Sequence, residues 1–279
     1  MKIGRVLILS VLTLLVLSCE TENQVNNDKN NENVLLKVSI KDWGYIEFNY
    51  AENKVIEMIC ASTANPEYAV YKFTYVNDKI SEVILDIYPD SMNSIPRASS
   101  IFTVDINDKV VDLTAVFDTN YPENSEEEKW HLDTEGNLIH QERHRGYIGD
   151  IFHSWKDGNL IQSNTYYSFS PDTVLQIDNY QYDDQKSPFY LFSNDFLLTM
   201  CWISYDFYFD YFEDAILSMN NCTLKESIKL FPDTIISYKN YSYGYLENNL
   251  PWSIQIDYQQ YESDTLNSSY TEYLELEYN

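Results

Sequence analysis

The chain has 279 residues, with 44 acidic side chains against 18 basic ones and a formal net charge of −26. That balance excludes nucleic acid as a natural partner, because phosphate backbones recruit clustered Lys and Arg. Only seven glycines and eight prolines punctuate the chain, while 25 tyrosines and 13 phenylalanines enrich it in side chains suited to half-buried pleated surfaces.

Residues 1–18 open with Lys2 and Arg5, continue as an apolar run from Val6 to Val16, and reach Leu17-Ser18-Cys19. The run is too short to span a bilayer, and a small residue precedes a cysteine where a signal peptidase would cut. This resembles a lipobox, which implies that Cys19 is acylated and that the mature chain is tethered to a membrane through lipid alone. The expected location is the outer membrane, on its periplasmic side or at the cell surface. Glu20 to Asn33 carry one hydrophobic residue, Val25, and read as a disordered tether reaching roughly 20 Å. From Val34 to Asn279 nothing Pro-, Gly- or Ser-rich divides the chain, so residues 34–279 are expected to form a single β domain.

That body reads as strand, polar turn, strand, repeated. Turn signals fall at Glu52-Asn53-Lys54, Asn77-Asp78-Lys79, Asn107-Asp108-Lys109, Glu135-Gly136-Asn137, Asp157-Gly158-Asn159 and Asp183-Asp184-Gln185-Lys186. Between them, Tyr71, Phe73 and Tyr75 share one face opposite Lys72 and Thr74, and Val83, Leu85 and Ile87 lie opposite Glu82, Ile84 and Asp86. Phe102/Val104/Ile106, Val111/Leu113/Ala115/Phe117 and Trp252/Ile254/Ile256/Tyr258 repeat the pattern. About fourteen to sixteen antiparallel strands are expected, and so many must curl or close to protect their edges. The fold class is therefore all-β: a meander β-barrel or barrel-like roll of consecutive hairpins. Residues 187–231 break the alternation and are expected to form a short helical or irregular insertion; Phe212, Ile216, Leu217 and Met219 fit helical spacing, and such apolar density points to core filling more than to a lid.

Cys60, Cys201 and Cys222 remain after lipidation of Cys19, and Cys201 with Cys222 is the preferred disulfide because both lie in or beside the irregular stretch. Buried thiols explain all three equally well.

The segments Tyr182 to Phe189 (YDDQKSPF) and Leu217 to Asn221 (LSMNN), behind a lipobox, resemble lipoproteins of Bacteroidota with a porin-like fold. The units Glu135-Gly136-Asn137-Leu138 and Asp157-Gly158-Asn159-Leu160 are similar to tyrosine-aspartate repeats of bacterial cell-surface proteins. The first resemblance implies a meander barrel and carries no activity with it. Acidic residues intersperse most strands, and lipid-facing positions of a membrane barrel stay free of charge over about 25 Å, so the barrel is expected to be soluble.

For chemistry, all four histidines fall between positions 131 and 153. His140, Glu142 and His144 are spaced by two and so project from one face of a strand, a donor set for Zn²⁺ or another first-row cation, with His131 and His153 within reach from neighbouring strands. Exposed polar strand residues account for the same spacing. No G-x-S-x-G, P-loop or G-x-G-x-x-G is present, and no cofactor is expected. Asp90-Ser91-Met92, Asp172-Thr173-Val174, Asp233-Thr234-Ile235 and Asp264-Thr265-Leu266 resemble the O-glycosylation acceptors of exported Bacteroidota proteins, which would place sugars on Ser91, Thr173, Thr234 and Thr265. The expected role is a non-enzymatic, lipid-anchored envelope protein binding a glycan or peptide. A structural or adhesion protein and a metal-dependent hydrolase using His140, Glu142 and His144 are the alternatives.

Overall fold

The computed structural model describes residues 34–63, 67–89, 95–107, 109–117, 125–143, 148–203, 215–230, 234–263 and 265–279. They form a closed barrel of sixteen antiparallel strands. The first eight strands are β1 (Leu35–Ile40), β2 (Gly44–Ala51), β3 (Lys54–Ser62), β4 (Tyr68–Val76), β5 (Lys79–Tyr88), β6 (Ala98–Asn107), β7 (Val110–Val116) and β8 (Ser125–Leu132). The second eight are β9 (Leu138–Glu142), β10 (Ile148–Lys156), β11 (Asn159–Tyr167), β12 (Ser170–Lys186), β13 (Asn220–Lys229), β14 (Ile235–Tyr245), β15 (Pro251–Glu262) and β16 (Thr265–Tyr278). Each strand ladders to its sequence neighbours, and β1 meets β16 from Leu35↔Tyr278 to Ile40↔Leu274 to close the ring. The expected meander barrel is what forms.

Tight turns set the register. Glu52 and Asn53 have φ of 49° and 65°, Asn77 and Asp78 have 51° and 66°, and Asp157 with Gly158 have 53° and 74°. Positive φ at both central residues matches the right-handed twist of the flanking strands, and Asn, Asp and Gly tolerate it best. The turn between β8 and β9 is held by Asp133, whose Oδ1 accepts from the amides of Glu135 at 2.8 Å and Asn137 at 3.0 Å. All these turns lie at one end of the barrel. At the other end the connections vary, from two residues between β11 and β12 to the longer spans at 89–97 and 117–124.

Two expectations about local structure fail for physical reasons. Asp183 to Lys186 is no turn: it lies within the 17-residue strand β12, where irregular pairing between Tyr182↔Cys222 and Lys186↔Asn220 and a bond from the Gln185 amide to Asp183 Oδ1 mark a kink. Trp252 does not share the inward face of Ile254 and Ile256, because the ladder passes from Tyr245↔Pro251 to Gly244↔Ser253; the irregularity leaves Trp252 46% exposed.

The described part of the insertion between β12 and β13 packs inside the barrel against its apolar side. A 3-10 turn at Pro188–Leu191 is capped by Ser187 Oγ, which accepts from the Phe189 amide. Helix α1 (Asn194–Ile203) follows, and a second 3-10 turn spans Ala215–Leu217. Phe196 through Ile203 are all buried, so α1 is apolar all round, as a helix enclosed by protein must be. Phe196 packs against Phe73 at 5.2 Å and Phe192 at 4.8 Å between ring centres, and Trp202 meets Phe102 edge-on at 5.3 Å. At the start of α1, Asp195 Oδ2 accepts from the Ile80 amide at 3.0 Å, and the Asn194 side chain donates to the Gly136 carbonyl at 3.0 Å. The helix thus precedes the segment whose spacing suggested it: Ile216 and Leu217 lie in a 3-10 turn, Met219 is exposed, and Phe212 is outside the described residues.

The inward faces of β2–β8 and the ends of β1, β15 and β16 join α1 in one hydrophobic cluster. The outward faces are mixed: Ile59, Val70 and Tyr88 make a small apolar cluster outside β3–β5, whereas amides and a carboxylate dominate part of β11–β13. Gln162 donates to Asn179 at 2.9 Å, Asn179 to Glu226 at 3.1 Å, and Asn164 to Gln162 at 3.1 Å, a ladder across the outside of β11–β13. Amides and carboxylates such as these are costly to set against lipid, so this stretch of the wall suits water.

One outward pair makes stability depend on pH. Lys72 Nζ lies 3.0 Å from Asp86 Oδ2, and Ser99 Oγ donates to Asp86 Oδ1 at 2.6 Å. Burial pushes the Asp86 carboxyl up, but the bonds from Ser99 and Lys72 outweigh it and hold the group below the ordinary carboxylate range. A depressed carboxyl contributes stability above its unfolded pKa of about 3.9 and loses it as pH falls through the folded value. Asp86→Asn is therefore expected to lower the urea midpoint at neutral pH, with the gap to wild type closing at pH values below about 4.

Candidate functional site

The interior changes character around the ring. Along β10–β16 one inward row reads His153, Ser163, Asp178, Ser227, Ser237, Gln260 and Ser268, each directly opposite the next. Every member is polar. The adjacent inward row runs Tyr180, Lys225, Lys239, Tyr258 and Tyr270. Orientation follows from alternation, since Tyr258 is in phase with buried Ile254 and Ile256, and Tyr270 with buried Leu274 and Leu276.

Within these rows Tyr258 and Tyr270 stack at 4.7 Å and 26°, and Tyr258 donates to Gln260 Oε1 at 2.6 Å. The Lys225 ammonium lies 5.6 Å from the centre of the Tyr180 ring. Tyr270 remains 48% exposed. A cavity of about 520 Å³ borders the same strands, but Asn240, Asp257, Gln259, Ser269 and Thr271, which make up most of its lining, alternate with Tyr258 and Tyr270 and so place it on the outward face, apart from the inward rows. Stacked phenols with amides, hydroxyls and ammonium groups around them offer faces for apolar ring surfaces and donors for hydroxyls. Sequence reading missed these rows because they need register, although β14 and β15 carry a signal: the same face passes from Tyr243 and Tyr241 to Lys239, and from Ile254 and Ile256 to Gln260.

The histidine cluster sits on the other side of the wall. His131 is directly opposite His140, and His140 opposite Phe152, on the outward faces of β8, β9 and β10. Their rings stack, His131 on His140 at 5.1 Å and 12°, His140 on Phe152 at 4.3 Å and 4°. His131 Nε2 hydrogen-bonds Glu142 Oε1 at 2.6 Å, and this bond is the main reason the Glu142 carboxyl is held below its ordinary range. Asp150 Oδ2 lies 3.6 Å from His140 Nε2. The expected face of His140 and Glu142 is present, with His131 joining it across the ladder; His144 lies outside the described residues. His153 faces inward instead, sharing a hydrogen bond with Ser163 Oγ at 2.9 Å, and takes no part.

No disulfide joins Cys201 and Cys222. Cys201 is buried on α1 in the main hydrophobic cluster, whereas Cys222 packs with Leu160 and Tyr180 in a separate one. Thr173, Thr234 and Thr265 are exposed, at or beside the β11–β12, β13–β14 and β15–β16 connections. Cys19 and Ser91 lie outside the described residues. Of the tryptophans, Trp130 and Trp202 are core residues at 1% exposure.

No family profile matches the chain, and no curated protein does. Among solved structures, it is similar to a porin-like protein from Bacteroides uniformis, at 10% identity and a TM-score of 0.42 over 88% of this chain and 98% of that one. A porin-like protein from Bacteroides vulgatus matches at 11% identity and a TM-score of 0.38, over 89% and 99% of the two chains.

Proposed function

We propose that this is a non-enzymatic envelope protein, anchored through lipid on Cys19 at the outer membrane, whose barrel binds a glycan at the polar wall of β12–β16. The observation that carries this reading is the passage of the inward face from apolar packing around α1 to an unbroken polar row beside the stacked Tyr258 and Tyr270. Mouths of β-barrels are common ligand sites, and a few placed polar groups around aromatic faces suit sugars, which present hydroxyl edges and C–H faces. The amide and carboxylate ladder outside β11–β13 supports a tethered rather than a spanning barrel.

A glycan-array screen of the full chain, followed by affinity measurements on its hits, tests the reading. Tyr258→Ala/Tyr270→Ala is expected to weaken binding at least about tenfold, the scale of losing an anchoring aromatic. A silent array, or a double variant that binds as well as wild type, would overturn glycan binding at this wall. Cys19→Ala is expected to release the protein from the membrane fraction without altering that affinity.

A further inference from the structure

We infer that His131, His140 and Glu142 form a divalent-cation site of the zinc class on the outer wall, clipping β8 to β9. It is independent of the glycan wall, from which it is separated by the thickness of the sheet and by several strands.

One ligand atom from each of the three residues lies within 4.8 Å of the others. Two imidazoles and a carboxylate are the donors that zinc accepts, with a water or Asp150 completing four-coordination. The Nε2 atom of His140 is buried and makes no hydrogen bond, with Asp150 Oδ2 at 3.6 Å the nearby carboxylate oxygen. A buried imidazole nitrogen without a partner is costly, and a metal ion would satisfy it. His131 Nε2 and Glu142 Oε1 already lie 2.6 Å apart. Zinc would replace the hydrogen bond between them and widen the pair to about 3.3 Å, the ligand spacing that bonds of 2.0–2.1 Å give in a tetrahedron.

The surroundings are preorganised. His140 is clamped between the His131 and Phe152 rings, which removes rotamer freedom before the metal arrives. Lys129, opposite Glu142 on β8, has its ammonium 3.7 Å from Asp112 Oδ1. The side chains of His131 and Glu142 are 31% and 41% exposed, so an ion can enter from solvent.

The test is titration of the full-length chain, purified in mild detergent, with Zn²⁺, Co²⁺ and Ca²⁺ by calorimetry. Zinc is expected to bind at one equivalent and to raise the melting temperature with concentration, while Co²⁺ gives the visible absorption of a tetrahedral nitrogen–oxygen site. Glu142→Gln and His140→Ala are expected to abolish stoichiometric binding, and Asp150→Asn to weaken it roughly tenfold, as loss of a supporting partner does. Glu142→Gln is the conservative variant, on an exposed side chain, that keeps the barrel folded. No zinc binding, zinc binding that survives both variants, or calcium binding equal to zinc would each overturn the site, the last two by tracing the ion to scattered carboxylates.

Discussion

Arg143→Met is expected to lower unfolding free energy by about 3–5 kcal/mol, read as a fall in the urea midpoint at neutral pH. Arg143, just past the end of β9, and Glu128 on β8 have side chains only 2% exposed, the guanidinium Nε 3.3 Å from the carboxylate. Glu128 also accepts from Trp130 Nε1 at 3.1 Å. Removing the cation leaves a carboxylate in the protein interior facing an indole and little water, and desolvation of a lone charge is what makes half of a buried pair so costly. Arg143→Met/Glu128→Leu should regain most of the loss, because removing both charges also removes the desolvation cost. A single variant losing under about 1 kcal/mol would mean that water reaches the pair, since exposed ion pairs are worth no more than that.

Trp202→Ala should cost a similar 3–5 kcal/mol, the range for emptying an aromatic site in a packed core. Trp202 is 1% exposed on α1 and edges onto Phe102. Its indole N–H is buried without a hydrogen-bond partner among the described residues, which already burdens the native state. Trp202→Phe is therefore expected to cost less than its lost volume implies, under about 1.5 kcal/mol, since it removes an orphaned donor along with the ring. Denaturant curves of the two variants separate the two contributions.

Much of the barrel was legible because its signals are local. The pairs Glu52-Asn53, Asn77-Asp78 and Asp157-Gly158 name their own turn geometry, and the alternation through Tyr71, Phe73, Val83 and Leu85 names the inward face, all four being buried. The misreadings arose where polarity had another cause. Asp183 to Lys186 is as polar as a turn but belongs to a long strand with a kink, and Trp252 follows the alternation of Ile254 until an irregular pair turns it outward. Helix α1 was displaced from the expected stretch because enclosure within a barrel selects apolar residues on every side and so erases the period that would betray a helix.

The candidate sites divide in the same way. His140 and Glu142 are two residues apart, so their shared face needed only strand geometry, but the partner within reach is His131, set by the ladder between β8 and β9. The polar inward row from His153 to Ser268 spans residues drawn from seven strands, and only their pairing reveals that they are neighbours.

The junction of Leu35–Ile40 with Leu274–Tyr278 gives the molecule a history as well as a shape. Hairpins of adjacent strands can zip as they are made, but this seam joins the two most distant strands and carries the largest loop-closure entropy, so it is the slow rung of assembly. Until it forms, the sheet has two raw edges at once, each a template for another chain. The last strand is therefore what converts an association-prone ribbon into a particle without ends, and the interval between its synthesis and its docking is the period in which this protein most needs protection.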